Sequence, residues 1–167
     1  MEEFSHPQPV LKVRMRPDLC LVMLETKIYM YSIDNGFAIA GQVEITPNPT
    51  GLMALTRCED TFVLAIPHST DSGQVMIKTQ IDGGDTYLDA AEEPLRCLEL
   101  TYDGRFIAAV SLPGKHIRIF DTVTKQMLHK LRSSFKNELV DQVRFSRQGD
   151  SITLLTPRTL HSWIINL

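Results

Sequence analysis

Short runs in which hydrophobic and polar residues alternate recur along the chain. Ile28-Tyr29-Met30-Tyr31-Ser32-Ile33 returns in altered form as Ile117-Arg118-Ile119-Phe120-Asp121 and again as Leu160-His161-Ser162-Trp163-Ile164-Ile165. A weaker copy, Gln74-Val75-Met76-Ile77-Lys78-Thr79, fills the gap between the first two. A period of two marks a strand with one face covered. The copies are spaced by roughly 40 to 45 residues, the length of one four-stranded propeller blade. The pattern therefore predicts an all-β chain, a β-propeller segment of the WD-repeat type with about four blades of antiparallel four-stranded sheets. Residues 1–9, with Pro7 and Pro9, read as a lead-in, and residues 10–167 as a single propeller segment. Its units fall at approximately 10–45, 46–90, 91–136 and 137–167.

Within each unit the strands have turn signals at their ends. The runs Val10 to Met15 and Leu19 to Leu24 flank Pro17-Asp18, and Asp34-Asn35-Gly36 precedes an outer strand over Phe37 to Ile45. Leu19 to Leu24 is almost continuously apolar, as expected of an inner strand covered on both sides. In the third unit Tyr102-Asp103-Gly104 separates Leu95–Leu100 from Arg105–Val110, and Arg147-Gln148-Gly149 does the same in the fourth. The stretch after Asp121 has two readings. Met127, Leu131 and Phe135 fall at helical spacing, with Lys125, Lys130 and Lys136 away from them. The repeat register instead requires an outer strand over Gln126 to Leu131.

Composition narrows the function. With 43% hydrophobic and 22% charged residues and a formal net charge of -3, the 167-residue chain reads as globular, and bulk charge gives no reason to expect a nucleic-acid partner. Cys20, Cys58 and Cys97 form no C-x-x-C pair and read as buried free thiols of a reducing compartment. The beginning Met1-Glu2-Glu3-Phe4 lacks a signal-peptide pattern, and no apolar run approaches the roughly 20 residues that span a bilayer. A cytoplasmic protein is expected. His6, His68 and His116 stand apart from the cysteines, so no metal site is expected. Neither Ser111 nor Ser146 sits in a G-x-S-x-G context. The adjacent acids Glu59-Asp60 and Glu92-Glu93 point to opposite sides of an extended backbone. No catalytic residue and no cofactor is expected.

The phrase Thr46-Pro47-Asn48-Pro49-Thr50-Gly51-Leu52-Met53-Ala54-Leu55 is more specific than the repeats. With the strand phrases at Ile28 and Ile117 around it, the chain from about Val10 to Leu167 resembles the PROPPIN family, seven-bladed propellers that bind phosphoinositides in autophagy. The resemblance implies the middle four of the seven blades. It also implies lipid sites built on an F/L-R-R-G motif whose two arginines each serve one site; a guanidinium matches phosphate oxygens bidentately and stays charged. Here the motif reads Leu131-Arg132-Ser133-Ser134, so one arginine remains. The family's S-x-K-G-T phrase reads Ser111-Leu112-Pro113-Gly114-Lys115, its T-x-H phrase is kept as Thr159 and His161, and Glu92 stands where the family tends to carry histidine.

The candidate anion contacts are therefore Arg132, Ser111, Lys115, Thr159 and His161, with Lys125, His129, Lys130 and Lys136 as a supporting basic patch. No acid lies between Val123 and Asn137. Each cation near an anionic surface contributes about 1 kcal/mol. Lysines at a solvated blade edge also discourage edge pairing, and His161 also reads as an ordinary strand residue. The implied function is a non-catalytic, autophagy-related scaffold with a degenerate lipid motif. Its partners would be phosphoinositide-bearing membranes, bound weakly, and autophagy proteins docking on blade edges and loops. Its location would be cytoplasmic, peripheral on autophagic or endosomal membranes. The other reading is a WD-repeat protein–protein interaction module without lipid binding.

Overall fold

The computed structural model describes residues 3–112, 116–132 and 139–167, which form antiparallel sheets without helices. The first sheet contains β1 (Lys12–Met15), β2 (Leu19–Met23), β3 (Lys27–Ser32) and β4 (Ala38–Glu44). The second contains β5 (Ala54–Leu55), β6 (Leu64–Pro67), β7 (Gly73–Lys78) and β8 (Asp85–Ala91). The third holds β9 (Leu95–Leu100), β10 (Phe106–Ser111), β11 (His116–Asp121) and β12 (Met127–Arg132), and the fourth β13 (Gln142–Phe145), β14 (Ser151–Leu155) and β15 (Leu160–Ile164). Each strand pairs with its neighbour in sequence, so every sheet is a meander. Among the described residues the fourth sheet has three strands rather than four. The chain divides into two compact units, one ending at Gly51 and one beginning at Leu52.

In the first unit all five residues of β2 are buried, the property that the apolar run predicts. Leu21, Met23, Ile28 and Met30 occupy one set of alternate positions, while Cys20, Val22, Leu24 and Tyr31 form a separate cluster with Tyr29, Ile33 and Phe37. The lead-in lies against that second cluster. The Phe4 ring is 5.1 Å from Tyr31 and 6.1 Å from Phe37, and His6 is 5.0 Å from Tyr29, itself 6.4 Å from Tyr31. The proline-rich phrase closes the unit. Asn48 is buried; its backbone N–H donates to Glu25 C=O at 2.8 Å, its carbonyl accepts from Gly51 at 3.0 Å, and its amide reaches the Met23 sulfur at 3.6 Å. Gly51 has φ +63 and would bring a Cβ to 3.2 Å from that of Leu11, so glycine fits there.

In the second unit, alternate residues of one strand feed two cores. Ile107 and Ala109 of β10 join Ala54, Ala65, Val75, Ile77 and Leu88 of the second sheet. Ala108 and Val110 join Val143, Ile152 and Leu154 of the fourth. The pleat that sends neighbouring side chains to opposite faces thus makes the third sheet the middle layer. A carboxylate ties the inner strands together. Glu99 of β9, 7% exposed, accepts from Arg57 just beyond β5 at 3.0 Å and from Arg144 of β13 at 2.6 Å. The turn at Thr101–Arg105 is closed by Asp103, whose carboxylate accepts from the Thr101 hydroxyl at 2.7 Å and the Arg105 N–H at 3.0 Å. Gly104 there has φ +77, and an added Cβ would meet Thr56 Cγ2 at 2.2 Å.

The helical reading after Asp121 is not what forms. Residues 127–132 are β12, paired with β11 at every position but Leu128, where the register shifts, and their exposure alternates with a period near two. Phe135 and Lys136 lie outside the described residues. Cys20 and Cys97 are buried as anticipated, whereas Cys58 is only half-buried, in the loop after β5. Replacing Glu99 by Gln should lower the unfolding free energy by about 2 kcal/mol, the scale of hydrogen bonds to charged groups. Urea titration of the two proteins, monitored through Trp163, measures this difference.

Candidate functional site

Ser111, His116 and Arg132 lie together at one end of the third sheet. The ladder between β11 and β12 sets His116 opposite Arg132 and Arg118 opposite Lys130. Cross-strand partners share a face, with Cβ atoms about 5 Å apart. Four basic side chains therefore form a two-by-two block on one face of this hairpin. The other face is set by Ile117 and Ile119, both fully buried, so the alternation of β11 fixes which side the bases take. Arg132 and Lys130 are exposed, and His116 and Arg118 are half-buried.

Ser111 holds the inner edge of the block. The register of β10 against β9 shifts between Val110 and Ser111, and such an irregularity re-aims a side chain. Ser111 is 4% exposed; its hydroxyl donates to Glu93 Oε2 at 3.2 Å and accepts from Arg118 Nη1 at 3.3 Å. Glu93, not Glu92, is thus the carboxylate bonded into this cluster. His116 registers the surrounding charge. Burial, followed by the positive charges of Lys130, Arg118 and Arg132, pushes its imidazole below the ordinary histidine range, and Glu93 opposes them. Like charges placed directly across a ladder destabilise it. Three permanent cations and one acid leave a surplus of positive charge that an anion would relieve.

The other sequence candidates are dispersed. Lys125 lies at the far end of the hairpin from Arg132, about 20 Å along the strand. It adopts φ +62, its ammonium donates to Thr86 Oγ1 at 3.0 Å and to the Thr122 carbonyl, and burial lowers its proton affinity. It is a turn residue. His129 occupies the opposite face of β12 from Arg132, and its Nε2 lies 2.9 Å from the Asn166 carbonyl oxygen. Thr159 and His161 belong to the fourth sheet. The Thr159 hydroxyl lies 2.8 Å from that of Thr156, and the His161 ring lies 5.8 Å from Trp163. Lys115, Lys136, Ser133 and Ser134 lie outside the described residues. Sequence reading missed His116, Arg118 and Glu93. The signal was present: His116 and Arg118 are the polar positions of an alternating strand, but only the register with β12 shows what they face.

Four antiparallel meanders of three or four strands define a β-propeller segment. Hsv2 of Kluyveromyces lactis superposes with a TM-score of 0.81 at 16% identity over 96% of this chain and 50% of its own. KlAtg21, solved in complex with the coiled coil of AgAtg16, gives 0.83 at 14% identity over 99% of this chain and 55% of its own. The PROPPIN family model matches residues 1–156, and the chain belongs to that family. Autophagy-related protein 18e of Arabidopsis thaliana is 28% identical over 146 residues, 87% of this chain and 38% of that protein. WD repeat domain phosphoinositide-interacting protein 2 of Mus musculus is 29% identical over 148 residues, 87% of this chain and 33% of its own. The chain spans less than half the length of these curated relatives.

In an NMR titration His116 should lose its proton below the usual histidine pH, and Lys130→Ala or Arg132→Ala should move that transition upward. The same shift has a sign for stability. Below about 6.5 the unfolded chain takes up this proton before the folded one, so His116 costs stability as pH falls. His116→Gln should remove that part of the acid sensitivity, as thermal melts at several pH values would record.

Proposed function

We propose that this chain is a non-catalytic, autophagy-related scaffold that meets phosphoinositide-bearing membranes weakly, through Arg132 and the basic face around it. Units 10–45, 46–90, 91–136 and 137–167 serve as its four blades. The observation that carries this reading is the block of His116, Arg118, Lys130 and Arg132, held beside Ser111 at one end of a sheet. Membership of a family whose relatives are named for autophagy and phosphoinositide interaction supports it. Lys115 and Lys136, outside the described residues, remain candidates by sequence, and Thr159, His161, Lys125 and His129 complete the wider candidate set. The motif is degenerate: Ser133 replaces the second arginine, which removes a charged fork from the site. The expected location is cytoplasmic and peripheral on autophagic or endosomal membranes. Protein partners would use blade edges and loops, and the KlAtg21 complex makes a coiled coil a reasonable class to try first. Neither a cofactor nor a nucleic acid has a role in this scheme.

Vesicles containing phosphatidylinositol 3-phosphate should capture the protein better than phosphatidylserine vesicles of equal charge. Arg132→Ala should reduce that capture about tenfold, the scale of one charge-assisted contact. Glu93→Gln should increase it. Equal capture by both vesicle types, lost at moderate salt, would reduce the interaction to screened electrostatics. The chain would then be an interaction module without lipid specificity, a reading favoured by Thr156, which already engages the Thr159 hydroxyl.

A further inference from the structure

A carboxylate stands at the inner rim of the basic block, and the chain holds it there. Ser111 pairs with Leu95 where the register of β10 against β9 shifts, and the Leu112 N–H donates to the Pro94 carbonyl at 2.9 Å. Glu93, the residue before Pro94, is thereby kept beside the Ser111 hydroxyl, which donates to its Oε2 at 3.2 Å. The same hydroxyl accepts from Arg118 Nη1 at 3.3 Å, so one buried oxygen links the carboxylate to a guanidinium. A neutral hydroxyl between them does not cancel either charge. Among the described residues Glu93 makes no salt bridge, and its side chain is exposed.

The block therefore offers two kinds of contact. Arg118, Lys130 and Arg132 supply N–H donors with permanent charge, which suit a phosphate. Glu93 supplies only acceptor oxygens, which suit a hydroxyl. A phosphate monoester carries about -1.5 to -2 at neutral pH, so the same oxygens repel it. Placing a like charge against the unwanted ligand is a general means of discrimination.

We propose that Glu93 makes the block selective for a polyol ring of the inositol class that carries one phosphate monoester and a free hydroxyl near it. The phosphate lies on Arg118, Lys130 and Arg132, and the hydroxyl donates to Glu93. A second phosphate in the place of that hydroxyl meets the carboxylate and is rejected. This selection rests on the phosphoinositide reading of the basic face given above and adds which headgroup that face takes.

Capture is compared on vesicles of equal surface charge that contain phosphatidylinositol 3-phosphate, phosphatidylinositol 3,5-bisphosphate or phosphatidylserine. The full chain should prefer the monophosphate to the bisphosphate about fivefold, the upper end for a contact between exposed charges. Glu93→Gln keeps an acceptor oxygen and removes the charge. It should raise capture of both phosphoinositides and bring their ratio near one. Glu92→Gln removes an equal charge one residue away from the acid bonded to Ser111, and should leave the ratio unchanged. Both residues are exposed, so far-UV circular dichroism should not change, and the preference of the unaltered chain is a test in its own right. The soluble inositol headgroups of the two lipids, followed through the NMR signals of the His116 imidazole, should rank in the same order. An order confined to vesicles belongs to the membrane surface and overturns the selection. Capture of both phosphoinositides no better than phosphatidylserine removes the phosphoinositide reading itself, and the selection with it. Capture of both above phosphatidylserine, with a ratio near one, a preference for the bisphosphate, or a ratio indifferent to Glu93→Gln, leaves that reading standing and overturns the selection. So does a ratio that Glu92→Gln moves as far as Glu93→Gln.

Discussion

A β-sheet with two apolar faces must have both covered, and that constraint governs the second unit. β10 has no polar face to give to water: Ile107 and Ala109 enter one core, Ala108 and Val110 another. β10 is stable only between neighbours, and it is as apolar as a strand of a parallel sheet although its pairing is antiparallel. The alanines matter because facing sheets approach through small residues as well as large ones. Glu99 adds direction to a contact that burial alone leaves free to slide. One carboxylate with an arginine on each side fixes how three inner strands line up.

The basic block follows from the same ladder. Ile117 and Ile119 must face inward, so His116 and Arg118 must face outward, and pairing with β12 brings Lys130 and Arg132 to them. Burial on one face thus pays for charge crowding on the other. The crowding is visible in the lowered proton affinity of His116. The far end of the hairpin has the opposite character. There Asp121 accepts from the Val123 and Thr124 N–H groups, both at 2.8 Å, and stays ionised below the usual range chiefly through those bonds. One end of the sheet is closed by internal bonds; the other presents cations to whatever comes near.

Strand identity was legible because alternation is a local property, and turns were legible because Asp103-Gly104 and Gln148-Gly149 carry backbone demands that few residues meet. The PROPPIN resemblance was legible in the phrase around Asn48, whose buried amide and backbone bonds give that phrase a structural reason to exist. The basic patch was read less well. Proximity along the chain grouped Lys125 and His129 with Arg132, yet alternation turned His129 to the other face and a left-handed turn folded Lys125 back onto Thr86 and Thr122. Conversely, Arg118 and Glu93 are far from Arg132 in sequence and could be found only through strand register and the bulge at Ser111. Helical spacing misled at Met127 and Leu131, because the register shift between Ile119 and Phe120 sets Met127 against Phe120 and Leu131 against Ile117, on opposite faces of the sheet.

The aromatic residues are distributed so that the two units carry different optical labels. The single tryptophan, Trp163, lies in the fourth sheet beside His161, whereas Tyr29 and Tyr31 stack together in the first. Tryptophan emission therefore reports on the second unit alone, with the His161 ring 5.8 Å away from it. Tyr29 and Tyr31 make up half of the tyrosine absorbance and Tyr87 and Tyr102 of the second unit the other half, so that signal follows both units. Melting curves recorded at the two wavelengths coincide only when both units lose structure in one cooperative step, so an ordinary spectrometer can read how tightly the halves of the chain are coupled.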